Sequence, residues 1–205
     1  NASSTRIQRG PNAADDSSVT TTNIFQLSMI DEMVEAAKTS SPLIRPVSTE
    51  LGDYYVLFLH PYQVTDLRSG TAAAGSWTDI QKSAMTGWLV ERNPIFTGAL
   101  GVYNGVILHE STRVTQGFSV SLSATVSAAG GLGLRRAVLC GAQSCALAFG
   151  QDNSDEQMTW VEEFFDYGNQ LGVSAGCIFG VKKTQFNSID FGTIVRVTIA
   201  APHGS

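Results

Sequence analysis

The feature that most limits what this chain can fold into is the run Tyr54-Tyr55-Val56-Leu57-Phe58-Leu59, apolar and β-favouring without a break. Such a run predicts a strand buried on both faces, and therefore a sheet with a covering layer on each side. His60-Pro61 follows. Proline's missing N–H costs nothing in the first turn of a helix, so His60 to Arg68 reads as a strand-to-helix corner. With 205 residues and 43% hydrophobic content, the chain can bury about two thirds of the surface its unfolded form exposes. One domain, or two lobes sharing a sheet, follows from that size. No uninterrupted apolar run approaches the ~20 residues needed to span a bilayer, which sets membrane insertion aside.

Around this strand the pattern alternates irregularly between helix and sheet. Residues 1–23 are polar, contain Gly10-Pro11, and read as an extended arm or linker whose order would require a partner surface. Ile24, Leu27, Ile30, Val34 and Ala37 recur at helical spacing, with Thr22 or Asn23 as cap and Ser41-Pro42 as stop. Trp77, Ile80, Ala84 and Trp88 mark a second amphipathic helix. Asn104-Gly105, between Val102-Tyr103 and Val106-Ile107-Leu108, is a hairpin signal. Phe118, Val120, Leu122 and Val126 alternate with Ser119, Ser121, Ser123 and Ser127, giving a strand that lies on the body or pairs with a neighbouring subunit's edge. Ala137-Val138-Leu139 reads as a strand, and Ala142 to Phe149 as a short helix or buried segment. Residues 154–166 fit either a helix or an extended edge. Leu171 to Lys182 and Phe191 to Ala200 are β-rich, with Ile194 to Ile199 the best strand in the chain. Mixed elements without regular βαβ alternation make the class α+β.

Charge points to the exterior's role. Only 15% of residues are charged, against ~25% in ordinary domains, so much of the surface is expected to be covered by partners. A net charge of −5 argues against a phosphate-gripping surface, which needs clustered Lys and Arg. Cys140, Cys145 and Cys177 form no Cys-x-x-Cys pair and read as small buried hydrophobes in a reducing compartment.

Candidate chemistry is thin. His60 and His109 are the histidines within the body, and no Gly-x-Ser-x-Gly elbow accompanies them, so satisfied structural histidines outweigh a hydrolase that uses either one. Gly131-Leu132-Gly133-Leu134-Arg135-Arg136 lacks the Lys-Ser/Thr of a phosphate-binding loop. Arg135 and Arg136 are instead expected to meet acidic groups on an adjacent subunit, as are Phe118, Val120 and Leu122 to contact one. Asp152, Asp155, Glu156, Glu162, Glu163 and Asp166 show no EF-hand register and read as a solvated or intersubunit acidic face. Trp77 and Trp88 read as core residues. Neither a metal nor a cofactor is called for.

Longer strings go further. Tyr54 to Gln63 (YYVLFLHPYQ), Asn93 to Val106 (NPIFTGALGVYNGV) and Asp166 to Gly176 (DYGNQLGVSAG) resemble the major capsid protein family of enquatrovirus-like phages. With Ile30-Asp31-Glu32, Trp77 to Gln81 and Arg136 to Gln143, the resemblance runs from about residue 24 to 200. It implies the Hong Kong 97-type capsid fold, in which residues 51–150 form an axial lobe and 24–50 with 151–205 a peripheral lobe and tail. It also tips residues 154–166 toward an extended conformation. Members of that fold carry an N-terminal arm, an extended loop and a spine helix ahead of the matched region, for which this sequence has no room. It starts at Asn1 with neither an initiator Met nor a signal-peptide core, so the expectation is that processing or truncation removed the true start.

The implied function is a shell subunit, not an enzyme. Its partners are copies of itself in hexamers and pentamers, together with decoration, scaffolding and portal proteins, and DNA enclosed without sequence-specific binding. The competing readings are an encapsulin-like nanocompartment shell of the same fold and a small-molecule hydrolase built on His60 or His109.

Overall fold

The computed structural model describes residues 4–10, 13–20, 22–50, 52–69, 100–119, 124–125, 133–150 and 158–203. The chain divides into two compact units, Asn1–Ala142 with Gln185–Ser205, and Gln143–Thr184. The second helix expected around Trp77 and Trp88 falls outside the described residues, as do Val120 and Leu122.

In chain order the first unit contains β1 (Ile7–Gln8), α1 (Leu27–Thr39), β2 (Val47–Thr49), β3 (Gly52–Leu59), α2 (Pro61–Ser69), β4 (Val102–Tyr103), β5 (Val106–Glu110), β6 (Phe118–Ser119), β7 (Ala124–Thr125) and β8 (Leu134–Cys140). The second unit contributes β9 (Cys145–Gly150), β10 (Met158–Phe165) and β11 (Gln170–Lys183). The chain then returns to the first unit with β12 (Gln185–Phe186), β13 (Ile189–Asp190) and β14 (Thr193–Ile199). The main sheet runs β1-β14-β8-β3-β5-β4, with β2 on β3. β3 lies parallel to β5 and antiparallel to β8. The architecture is mixed α+β, as the irregular alternation of patterns predicts.

β14 is buried along its whole length. Ile194 joins a core built from α1 (Ile30, Met33, Val34, Ala37), β3 (Tyr55, Leu57, Leu59), β5 (Val106, Leu108) and β8 (Ala137, Leu139). On the same face, Arg196 pairs with Glu32 of α1 at 2.7 Å. Val195, Val197 and Ile199 point the other way, into a cluster with Val19 and Leu134 against which Ile7 and Ala13 pack. The best strand in the sequence is thus the one covered on both faces. The Tyr54–Leu59 run is not: Tyr55, Leu57 and Leu59 are buried, but Val56 and Phe58 on the opposite face are only half-buried. Aromatic and β-branched residues suit a half-exposed pleated face as well as a buried one, so composition alone overstated the cover.

The N-terminal segment is the layer that covers the second face, which corrects the reading of residues 1–23 as an arm waiting for a partner. β1 pairs parallel with β14. Asp16, fully buried, accepts from Arg9 at 2.8 Å and from Arg136 at 2.6 Å. Asn23 donates its side-chain amide to the Val197 carbonyl at 3.1 Å. It is therefore no helix cap; α1 starts only at Leu27, and Ile24 bridges to Ile199. Arg136, expected to seek an acid on another subunit, has its carboxylate within its own chain. Buried charges persist only when paired, and here two guanidinium groups flank one carboxylate.

Two local signals behave as the residues predict. Asn104 (φ 46°) and Gly105 (φ 71°) make the left-handed turn between β4 and β5. Asp31 of α1 then fixes that hairpin, accepting from the Tyr103 hydroxyl at 3.1 Å and the Asn104 amide at 2.8 Å. At the other signal, His60 forms the corner between β3 and α2. Its Nδ1 accepts from the Tyr62 N–H at 3.2 Å, and its own N–H donates to Gln63 Oε1 at 3.0 Å. Gln63, fully buried, spends its amide on Thr198 Oγ1 at 2.7 Å, locking α2 to β14.

Burial holds the His60 imidazole below its ordinary pKa; the Arg135 charge pushes it the same way, and Glu110 opposes both. Two measurements follow. Asp16→Asn should lower the free energy of unfolding by about 3–5 kcal/mol, because it leaves Arg136 buried without its counter-charge; a loss within about 0.5 kcal/mol in urea denaturation would place that ion pair at the surface instead. For His60 the unfolded chain takes up a proton as pH falls through about 6.5 while the folded chain resists, so stability is lost on acidification. Replacing it (His60→Asn) should flatten that loss between about pH 7 and 5, and an unchanged slope would count against it.

Candidate assembly surface

The second unit is organised by the ladder of β11. Residues 170–177 of this strand pair antiparallel with β10, from Phe165↔Gln170 to Met158↔Cys177. Residues 178–183 pair antiparallel with β9, from Gly150↔Ile178 to Cys145↔Lys183. The ambiguous 154–166 stretch is therefore extended over Met158–Phe165. Ala142 to Phe149 is neither a helix nor buried, since Cys145–Gly150 is an exposed strand. Its small residues keep it slender, and its cross-strand pairing with β11 overrides the weak helical pattern. The turn between β10 and β11 carries left-handed backbone at Asp166, Tyr167 and Gly168.

Directly opposed residues on paired strands share a face, and alternate residues along a strand change face. Applied to this register, the rule sorts the unit cleanly. Leu171, Val173, Phe179 and Val181 of β11 lie with Met158, Trp160 and Phe164 of β10 and with Leu147 and Phe149 of β9. Each of these nine is between 47% and 69% exposed. The reverse face is different: its β11 positions are Gln170, Gly172, Ser174, Gly176, Ile178, Gly180 and Lys182. There Phe165 lies so close over Gly172 that a Cβ would stand 2.5 Å from the ring, and Ile178 crowds Gly150 in the same way. Small residues on that side let Phe165 and Ile178 lean over the sheet, yet these two and Val161 stay 50–57% exposed, so the front differs in carrying nine large apolar side chains against three.

Two charges frame the apolar face. Glu162, opposite Val173, accepts from the Trp160 indole N–H at 2.7 Å, which orients its carboxylate on that face. Lys183, opposite Cys145, stands on the same face at the far end of β11. Glu163 and Lys182 fall on the reverse side, and Asp166 lies in the turn. Such a surface can exclude water with a matching apolar partner and set its orientation by charge.

The other candidates sit elsewhere. Arg135 is half-buried, with one guanidinium N–H donating to the Val114 carbonyl at 3.3 Å. Phe118 is placed in β6, paired with Thr125 of β7. His109 is exposed and stacks at a tilt on Phe58, with ring centroids 5.2 Å apart, while His60 is committed to its corner. Cys140 is half-buried, and Cys145 and Cys177 are exposed, so the buried reading of the cysteines does not hold. Among the described residues no His, Cys, Asp and Glu set is arranged to hold a metal ion. Trp160, like the carboxylates of Glu162 and Glu163, belongs to the exposed second unit.

Known proteins resemble the chain over this architecture. It is 34% identical over 116 residues to the major capsid protein of Pseudomonas phage KPP25, a stretch covering 53% of this chain and 29% of that protein. Among solved structures, the capsid of Ralstonia phage GP4 superposes with a TM-score of 0.71 at 30% identity, covering 100% of this chain and 55% of that one. The Cyanophage Pam1 capsid asymmetric unit gives a TM-score of 0.71 at 25% identity, covering 90% of this chain and 49% of that one. The head structure of Helicobacter pylori bacteriophage KHP40, at 15% identity and a TM-score of 0.53, shares the fold. The chain thus spans 29% of the curated relative's length and 55% of the GP4 chain's. The phage capsid protein family model matches residues 2–201, and on that near-complete match the chain belongs to the phage capsid protein family.

Proposed function

We infer that this chain is a structural part of a major capsid protein that associates with copies of itself into the hexamers and pentamers of an icosahedral or prolate phage head. The head encloses double-stranded DNA and assembles in the host cytoplasm. One observation carries the reading: an apolar sheet face of nine large, exposed side chains on a chain whose family builds capsids. Isolated proteins rarely expose contiguous apolar surface on that scale.

The Hong Kong 97-type arrangement supplies the finer assignment. Residues 51–150 go to the axial lobe and residues 24–50 and 151–200 to the peripheral lobe; the Gln143–Thr184 unit straddles that boundary. The N-terminal arm, extended loop and spine helix of that fold are assigned to the part of the relatives' length that this chain does not span. Phe118, Val120, Leu122 and Arg135 are assigned to further contacts between subunits; the Phe118 stretch alternates apolar and hydroxyl residues, as a strand at a shared edge would. Identical subunits repeated around closed symmetry multiply modest contacts, so no cofactor or catalytic step is needed for the shell to form.

Electron microscopy of the expressed full-length gene product tests this. Closed particles are expected. Phe164→Ser with Phe179→Ser should leave soluble, folded subunits, since each ring withheld from water at a contact is worth about 1.5–3 kcal/mol. A wild-type product that stays monomeric at every concentration and salt would refute the reading.

A further inference from the structure

We propose that the apolar face of β9, β10 and β11 docks on the same face of a second copy, with the two β11 strands running antiparallel about their centre near Ile178. This rests on the reading of the chain as a self-associating shell subunit, and it names the surface and its occupant.

A continuous apolar strip requires a partner strip of similar length and character. In the first unit, the described large hydrophobics that are exposed are Ile24, Leu43, Val47, Val102, Ile107 and Phe186; Val102 and Ile107 are cross-strand partners beside Val56, a patch much shorter than the strip, and the others lie on separate elements. Among the described residues, the surface that matches the strip is the strip itself on another molecule. Self-complementarity of one patch is what a two-fold contact demands.

Charge then selects the direction. Glu162 stands at the level of Val173 and Lys183 toward the other end, roughly 33 Å apart along β11 at about 3.3 Å per residue. Overlaying two faces with their β11 strands parallel sets Lys183 directly against Lys183 and lays β10 over the second copy's β9, so neither Glu162 meets an opposite charge. The antiparallel sense sets each Glu162 against the second copy's Lys183, once at either end. Like charges opposed at a contact are penalised, and opposed unlike charges fix register. In the antiparallel overlay Cys177, exposed and on this same face, falls beside the centre, so the two thiols come within reach of a cross-linker spanning about 10 Å, the spacing of facing sheets.

The test is charge exchange in the full chain, read by sedimentation across a concentration series. Glu162→Lys alone and Lys183→Glu alone each turn both symmetric pairs into repulsions. Each should raise the association midpoint by about tenfold at low salt, and the deficit should shrink near 1 M salt, where screening acts within ~3 Å. The double variant, Glu162→Lys with Lys183→Glu, should return to the wild-type midpoint. Separately, a short bismaleimide should give a covalent dimer of the wild-type chain that Cys177→Ser abolishes.

Additive losses in the double variant, or no covalent dimer through Cys177 in a chain that still associates, would overturn this docking mode and leave the shell reading standing. Absence of any association in the wild type would overturn both.

Discussion

The structure depends on β14 having a layer on each side. A strand buried over all of Thr193–Ile199 gains the full transfer free energy of its side chains only if both layers stay in place. One layer is α1, whose apolar stripe is ordinary for a surface helix. The other is an irregular segment with few apolar residues, held by Asp16 between Arg9 and Arg136 and by the Asn23 amide on Val197. Specific polar contacts thus maintain an apolar interface, because removing either partner of a buried pair strands the other without solvent. Gln63 plays the same part on the first face, tying the β3-α2 corner to Thr198.

The two units solve the burial problem differently. The first covers β14 on both faces with its own chain and ends its sheet in short strands, β1 and β4, at both edges. The second leaves Trp160, Phe164 and Phe179 more than half exposed on one side of a sheet, while the β11 positions on the other are mostly glycine, small or polar, with Ile178 the exception. A sequence that spends glycine on the reverse face keeps that side thin and concentrates its adhesive surface on the front. This division gives physical content to the charge content of 15%: the charge missing from the exterior is missing most visibly where apolar side chains face outward.

How much of this was legible in the residues depends on the range of the interaction that decides each element. Local rules found the Asn104-Gly105 turn, the His60-Pro61 corner and the strand Ile194 to Ile199, because backbone preference and side-chain alternation act within a few residues. They failed for residues 1–23, whose order depends on Arg136 and Val197, far along the chain. No local pattern marks Asp16 as buried, and a polar stretch with Gly10-Pro11 looks the same whether solvated or docked. The strand at Cys145–Gly150 was missed for a related reason, since its partners at 178–183 supply the ladder. The apolar face itself had a readable signal. Leu171, Val173, Ala175, Cys177, Phe179 and Val181 alternate strictly with smaller or polar neighbours apart from Ile178, and that period of two fixes one outward face once the strand is granted.

Strength and direction are therefore carried by different residues of the same surface. Apolar area is non-directional, so the nine side chains of the face favour contact with any comparable surface in many registers. Two charges among them add little to affinity but penalise wrong alignments, and the indole N–H of Trp160 holds one of them in place. A surface carrying only the apolar set would aggregate without order, and one carrying many charges would not close weak contacts into a shell. For identical subunits that must repeat one contact many times, a few charges placed far apart on an apolar strip are enough to choose a register without replacing the force that brings the strips together.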